Sequence, residues 1–387
     1  MVIQSISLPE RSIWNFGGVI HSLGISAESL SWARLSSGES SSAPFLGLGT
    51  RQGITLLSAI NSKRWCLSRM VDIHVGSATL CLEVLEIRAG TFAVVSAHAD
   101  NSIRLHLADF NNEKGAAIEQ ISVLSGTSGH ISPVTCLSAT VRSDVICSAS
   151  ADDNRTLIIS SISLVTNEEF TNAISLKNIA SELVFFPESN ARVTALAVLE
   201  GSRISVYDCE SGSWLLSVYS GSITSISTLL SPLGSPSLVS CDSKGWKVFK
   251  GIISLGADTA SKLSGGSGYT VANDQGVFRS RDGYRLIPSH TFASGKLIVR
   301  ITTGKNGSVT VYDVDSGDEF GTDYPLSLSR PNVIAADITA NGGVVALAIG
   351  QELFVIPLSQ NTPGDHSATG YEEESSEIYR ERPRLML

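Results

Sequence analysis

From residue 43 onward the chain repeats one pattern. A short run of alternating apolar and polar residues is followed by a few small or polar residues, then by a second alternating run. The pattern reads as "APFLGLGTRQGITLLSA" (43–59), "FAVVSAHADNSIRLHLA" (92–108), "DVICSASADDNRTLIISS" (144–161) and "VTALAVLEGSRISVYD" (193–208). It continues as "SLVSCDSKGWKVFKG" (237–251), "YTVANDQGVFRS" (269–280), "KLIVRITTGKNGSVTVYD" (296–313) and "VVALAIGQELFVIPL" (344–358). Alternation with a period of two puts apolar side chains on one face of a strand. Gly, Asn, Asp and Ser suit the positive-φ positions of tight hairpin turns. Each segment therefore predicts a β-hairpin. The apolar runs stop at Gly or Pro before reaching helical length, so the predicted class is all-β.

The hairpins recur regularly. The middles of their second strands, at Leu56, Leu105, Ile158, Val206, Val248, Phe278, Val311 and Val355, lie at intervals of about 30–53 residues, and four-stranded blade repeats run about 40–50. The stretch from Val248 to Val311 holds either two compressed blades or one blade with an extra hairpin at 269–280. "GADTASKLSGGSG" (256–268) offers no first strand, so the spacing favours seven blades over eight.

Within this array, "GHISPVTCLSATVRSDVICSASADDNRTLIIS" (129–160) opens on Gly129-His130. Val134 and Leu137 fall on its first strand, Ser148-Ala149-Ser150 on its second, and Asp152 at its turn. "SAHADNSIRLH" (96–106) has Asp100 at its turn and His106 near its end, and "VYDxxSG" appears at 206–212 and 311–317. On these residues the chain resembles the WD-repeat family across about 40–358, with Tyr, His or Ser where that family places Trp. The resemblance implies a single WD-type β-propeller with four antiparallel strands per blade. It also implies that His130, Ser148 or Ser150, and Asp152 form a hydrogen-bonded strut inside one blade, with the Trp position taken by Ser160. His74 and Asp100 would have the same role in the preceding blade.

Composition narrows the function. Charged residues make up 17% of the chain, hydrophobic residues 42%, and the formal charge is −9. Phosphate backbones are bound by Lys and Arg, so direct nucleic-acid binding is not expected. No run reaches the length of a membrane-spanning helix, and "MVIQSISLPERSIWNF" lacks the pattern of a secretory signal. Cys66, Cys81, Cys136, Cys147, Cys209 and Cys241 are scattered without CxxC, mostly inside apolar runs, which suits reduced thiols in a cytoplasmic or nuclear protein.

Motifs that suggest chemistry read better as turns. "GLGTRQG" (47–53) precedes a strand, where a dinucleotide loop needs a helix. "DVDSGD" (313–318) lacks the downstream Glu of a calcium loop. "SGGSG" (264–268) lacks the Gly spacing of a nucleophile elbow. "NRT" (154–156) and "NGS" (306–308) would be glycosylation sites only in a secreted chain. No metal site, cofactor or catalytic group is expected.

The turns between second and third strands carry Arg51, Arg155, Lys244 and Lys305, with Arg203 just after its turn. Such turns share one face in WD-type propellers, the face most used for partners. The expected function is a non-catalytic protein-interaction scaffold: a monomeric propeller within a larger hetero-complex, of nuclear-pore, coat or ribosome-assembly type, with acidic peptide segments among its partners. The alternatives are a phosphoinositide-binding propeller, whose Phe-Arg-Arg-Gly motif is absent here, and a propeller enzyme, whose converging funnel groups are not found. The propeller is expected over 1–360, with residues 1–8 pairing beside 352–358. Residues 361–387 are expected to be a flexible charged tail, with Ile378, Tyr379, Leu385, Met386 and Leu387 as anchors for a partner.

Overall fold

The computed structural model describes residues 6–8, 11–15, 20–26, 45–61, 66–88, 90–110, 117–142, 144–186, 194–219, 222–230, 236–242, 244–250, 270–271, 276–277, 289–294, 297–302, 309–317, 319–320, 335–338, 344–349 and 352–357. Their strands, in chain order, begin with β1 (Ile6–Leu8) and β2 (Arg11–Asn15). The first sheet is β3 (Ile20–Ser26), β4 (Phe45–Thr50), β5 (Gly53–Asn61) and β6 (Cys66–His74). The second is β7 (Thr79–Arg88), β8 (Thr91–His98), β9 (Ile103–Asp109) and β10 (Ala117–Leu124). The third is β11 (Val134–Arg142), β12 (Val145–Asp152), β13 (Thr156–Ser163) and β14 (Glu169–Ser175). The fourth is β15 (Glu182–Phe185), β16 (Ala195–Glu200), β17 (Arg203–Asp208) and β18 (Trp214–Tyr219). The fifth is β19 (Ser225–Leu230), β20 (Pro236–Cys241) and β21 (Gly245–Lys250), with β22 (Thr270–Val271) and β23 (Gly276–Val277) on its edge. The sixth is β24 (Ser289–Ser294), β25 (Leu297–Thr302), β26 (Val309–Asp313) and β27 (Glu319–Phe320). The seventh joins β28 (Ala335–Ile338), β29 (Val344–Ile349) and β30 (Glu352–Pro357) to β2 and then β1. All pairings are antiparallel, and the described residues contain no α-helix.

Seven of the eight hairpins read from the sequence are second-to-third strand pairs of these sheets. The eighth is not a hairpin of its own. Val271 pairs with Phe249 and Val277 with Gly245, so β22 and β23 are two pieces of one interrupted outer strand laid along β21. At the N-terminus, the strand beside β30 is β2, with Ser12 opposite Val355 and Asn15 opposite Glu352. Residues 6–8 pair with β2, one place further out. The expected neighbour of 352–358 thus shifts along the chain. Pro9, which has no N–H to give a ladder, falls between the two strands. The proposed tail, 361–387, lies outside the described residues.

Burial changes steadily across each sheet. The second strands β8, β16 and β20 are buried at every position, whereas the fourth strands β10 and β14 are largely exposed. The core therefore lies between sheets packed face to face, the arrangement that buries both faces of a strand. Ile54, Leu56, Val84 and Val94 join the first and second sheets. Val95, Leu105, Leu137 and Ile158 join the second and third. Ala149, Leu157, Leu183 and Leu196 join the third and fourth. The fourth and fifth meet through Val206 and Leu238, and the fifth and sixth through Trp246 and Tyr312. Small residues such as Ala93, Ala97, Ala149, Ala195 and Ala197, all fully buried, let the sheets approach.

First strands of successive sheets are neighbours: β3 with β7, β7 with β11, β11 with β15, β15 with β19, and β19 with β24. The seventh sheet returns to the first, with β28 and β29 beside β3. Side-chain bonds tie the first sheet to the second, the third to the segment leading into the fourth, and the fourth to the fifth. Thr79 Oγ1 donates to the Gly53 carbonyl (3.2 Å), Thr135 Oγ1 to that of Ala180 (2.9 Å), and Thr228 Oγ1 to that of Phe185 (2.7 Å). The end at which second strands turn into third strands is termed the top here, and the opposite end the bottom.

Candidate interaction surface

Gly129-His130 ends the link between the second and third sheets, four residues before Val134 begins β11. The His130 ring is buried against β12. Its Nδ1 lies 3.0 Å from Asp152 Oδ2 and its Nε2 lies 2.8 Å from Ser150 Oγ. A carboxylate oxygen only accepts, so Nδ1 carries the proton and Nε2 accepts from the serine. Burial lowers the imidazole's pKa, against the pull of Asp152, which favours this neutral tautomer. Asp152 Oδ1 accepts the Thr156 amide at 2.7 Å and so closes the turn as well. Of the two serines open on sequence, Ser150 meets the histidine; Ser148 faces Ser160 across the ladder, Oγ to Oγ 3.3 Å. Both side chains of the His130–Asp152 pair are fully buried. The pair lies out of reach of solvent and bonds the segment before β11 to β12.

The second sheet solves the same problem differently. His74 and Asp100 are both exposed and do not meet. Asp100 accepts from Ser102 Oγ (2.6 Å) and pairs with Arg104 (2.7 Å) across its own turn. The buried group is His98, at the end of β8 where β12 has Asp152. Its Nε2 lies 2.8 Å from Ser96 Oγ and its Nδ1 3.4 Å from Thr79 Oγ1. Burial, with Arg104 adding, pushes its pKa down to about 4. His106, where β13 has Ser160, is buried, and its Nδ1 meets no partner among the described residues.

The fourth and fifth sheets keep a carboxylate at that position. Glu200 is buried; it accepts from Ser205 Oγ (2.7 Å) and from the Asn178 amide (3.0 Å). Asp242 accepts the amides of Lys244 (2.6 Å) and Gly245 (3.0 Å). A further acid, the half-buried Glu182 on β15, accepts from Ser225 Oγ (2.8 Å) and the Ile226 amide (2.6 Å) of β19, and desolvation raises its pKa to about 7. It ties two first strands together. His98, Glu200 and Glu182 were not singled out in the sequence. The one sequence signal available for the first is the register of Ser96-x-His98 with Ser150-x-Asp152.

Protein-family models were searched, and none matches the chain. Nor does any curated protein.

Arg51, Arg155 and Lys244 are exposed at the top ends of the first, third and fifth sheets. Arg203, at the top of the fourth, is half-buried and donates from Nε to Ser217 Oγ (2.8 Å). Lys305 lies outside the described residues. Lys177 is a further exposed cation at this end. The acids beside them are largely engaged: Asp152 and Glu200 inside the sheets, Asp242 in its turn, Asp100 with Arg104. Asp153 is exposed at the same end. Positive charge thus stands outward on a chain whose formal charge is −9.

The remaining motifs resolve as turns. In "GLGTRQG" the chain goes from β4 straight into β5. Gly53, at φ +148°, is required there, because a Cβ would sit 2.1 Å from the Ile73 carbonyl oxygen. In "DVDSGD", Asp313 Oδ1 accepts the amides of Asp315 and Ser316, both at 2.9 Å. No His, Cys, Asp and Glu grouping suited to a metal occurs among the described residues. Asn154 sits in the exposed β12–β13 turn; 264–268 and 306–308 lie outside the described residues. Cys136, Cys147, Cys209 and Cys241 are buried free thiols, with Cys81 half-buried. Burial raises the pKa of all five, to about 12 for Cys81, Cys136 and Cys241.

Proposed function

We propose that this chain is a seven-bladed β-propeller of the WD-repeat type, and that it works as a non-catalytic scaffold in an intracellular protein complex. The sheet order supports a ring: the first strands of the first six sheets run side by side, β28 and β29 of the seventh lie beside β3, and a strand from near the N-terminus completes the last sheet. The scaffold grips acidic segments of partner proteins at its top end. The observation that carries this reading is the asymmetry there, with Arg51, Arg155 and Lys244 exposed while most neighbouring carboxylates are engaged internally. Loops held on a rigid frame are where binding residues concentrate, and a cationic rim both steers and orients an anionic segment.

The test is binding of a short fluorescein-labelled peptide of alternating glutamate and leucine, followed by anisotropy. Wild-type affinity should fall as salt rises from about 50 to about 300 mM, as screening of exposed charges requires. Changing Arg51, Arg155 and Lys244 together to Ser should weaken it at least ~10-fold, equivalent to about 1.4 kcal/mol, without altering the melting temperature. Equal binding by the triple variant would remove the proposal.

A further inference from the structure

The bottom end carries a different surface. Between the third and fourth sheets lies an open groove of about 520 Å³, walled by Val145, Cys147, Ile159, Phe170 and Cys209. Its sides are held apart by specific contacts. Arg142, at the end of β11, donates to Thr194 Oγ1 (2.6 Å) and to the Phe186 carbonyl (3.3 Å) of the next sheet. The turn after β17 leans on β14: Gly212 approaches so closely that a Cβ there would stand 2.2 Å from Asn172 Nδ2. Phe170, two residues before Asn172, shares its face of the strand. Burial raises the pKa of the Cys147 and Cys209 thiols, so both remain uncharged parts of the wall.

Large apolar side chains are also exposed in the turns of this end. Phe170 is 53% exposed, and Val165 and Trp214, in or beside the two bottom turns, are 73% and 55% exposed. Large exposed hydrophobic side chains gathered at one place mark an interaction site more often than scattered ones do. Among the described residues, the charged groups in the turns beside the groove are chiefly acidic. Asp144, Glu168 and Glu210 are exposed, Asp208 is half-buried, and Arg142 is tied to the fourth sheet.

We infer that this groove docks an extended segment of a partner protein in which apolar side chains are flanked by arginine or lysine. An apolar side chain enters between Val145, Ile159 and Phe170. Flanking cations meet Glu210, Glu168 and Asp144, and a guanidinium can stack on the open ring of Phe170 or Trp214. The site is separate from the cationic top end and selects the opposite charge, so the two surfaces would let one scaffold hold two unlike partners.

The experiment uses the full chain and a fluorescein-labelled peptide of alternating arginine and leucine, again by anisotropy. Saturable binding below about 1 mM is expected, lost when serine replaces leucine or glutamate replaces arginine in the peptide. Phe170→Ser and Glu210→Lys should each weaken binding several-fold while melting as wild type does, because both side chains are exposed. Phe170→Tyr, which keeps the ring, should retain the affinity. The Arg51, Arg155 and Lys244 variant should bind this peptide as wild type does. Absence of saturable binding, or wild-type affinity in either Phe170→Ser or Glu210→Lys, would overturn the inference.

Discussion

At the scale of single residues, the chain is held by polar groups placed where an apolar core offers none of its own. His130 reaches across to Ser150 and Asp152, and Asp152 also fixes the turn to Thr156. Removing one member leaves the others buried without a partner, which costs about 1–3 kcal/mol. His130→Ala and Asp152→Ala should therefore each lower stability by about that amount in denaturant titrations, and the double variant should cost less than the sum. Binding at the top end should persist at low temperature. Strict additivity would mean that the pair is not coupled. The pair was legible because Gly-His and a turn aspartate bracket two strands at a recognisable spacing. Ser148 and Ser150 were not separable, since residues two apart share a strand face. His98 was hidden because it takes the place of an aspartate, and Glu200 because its turn is shorter.

At the scale of elements, hairpin turns follow a common recipe. At three third-to-fourth turns an oxygen-bearing side chain starts the turn and a positive-φ residue ends it: Ser163 with Asn167, Asp208 with Gly212, and Asp313 with Gly317. Gly212 and Gly317 have φ of +67° and +73°, but only Gly212 abuts another strand. Gly317→Ala should then cost about 1 kcal/mol, the backbone penalty alone. Gly212→Ala should cost more, and Asn172→Ala in the same chain should bring the cost back towards the Gly317→Ala value. Equal costs for the two single variants would show that the contact with Asn172 is immaterial. Second and third strands were read directly from the sequence, because burial on both faces makes them apolar. First and fourth strands were harder. β14, for example, is exposed or half-exposed throughout and carries no apolar signal. The interrupted strand 270–277 looked like a hairpin because a polar stretch separates its two pieces.

At the scale of the whole molecule, the first six sheets pack face to face in turn, β28 and β29 of the seventh lie beside β3, and the seventh is completed by strands from near the N-terminus. That step mattered most and was the least visible in the sequence: residues 6–8 and 11–15 are both short, and either could supply the pairing strand. Of the two, β2 pairs with β30, with Ser12, Ile13, Trp14 and Asn15 opposite Val355, Phe354, Leu353 and Glu352. Completing the sheet this way covers the edge of β30, which would otherwise be open to other chains. If the sheets form a ring, β2 is its fastening, and its loss must be felt in every blade. The decisive measurement is thermal unfolding of chains lacking residues 1–8 or 1–15, followed by calorimetry. The shorter deletion should lower the melting temperature slightly. The longer one should lower the whole transition sharply and promote aggregation. A chain without residues 1–15 that melts as the intact protein does would contradict the closed ring.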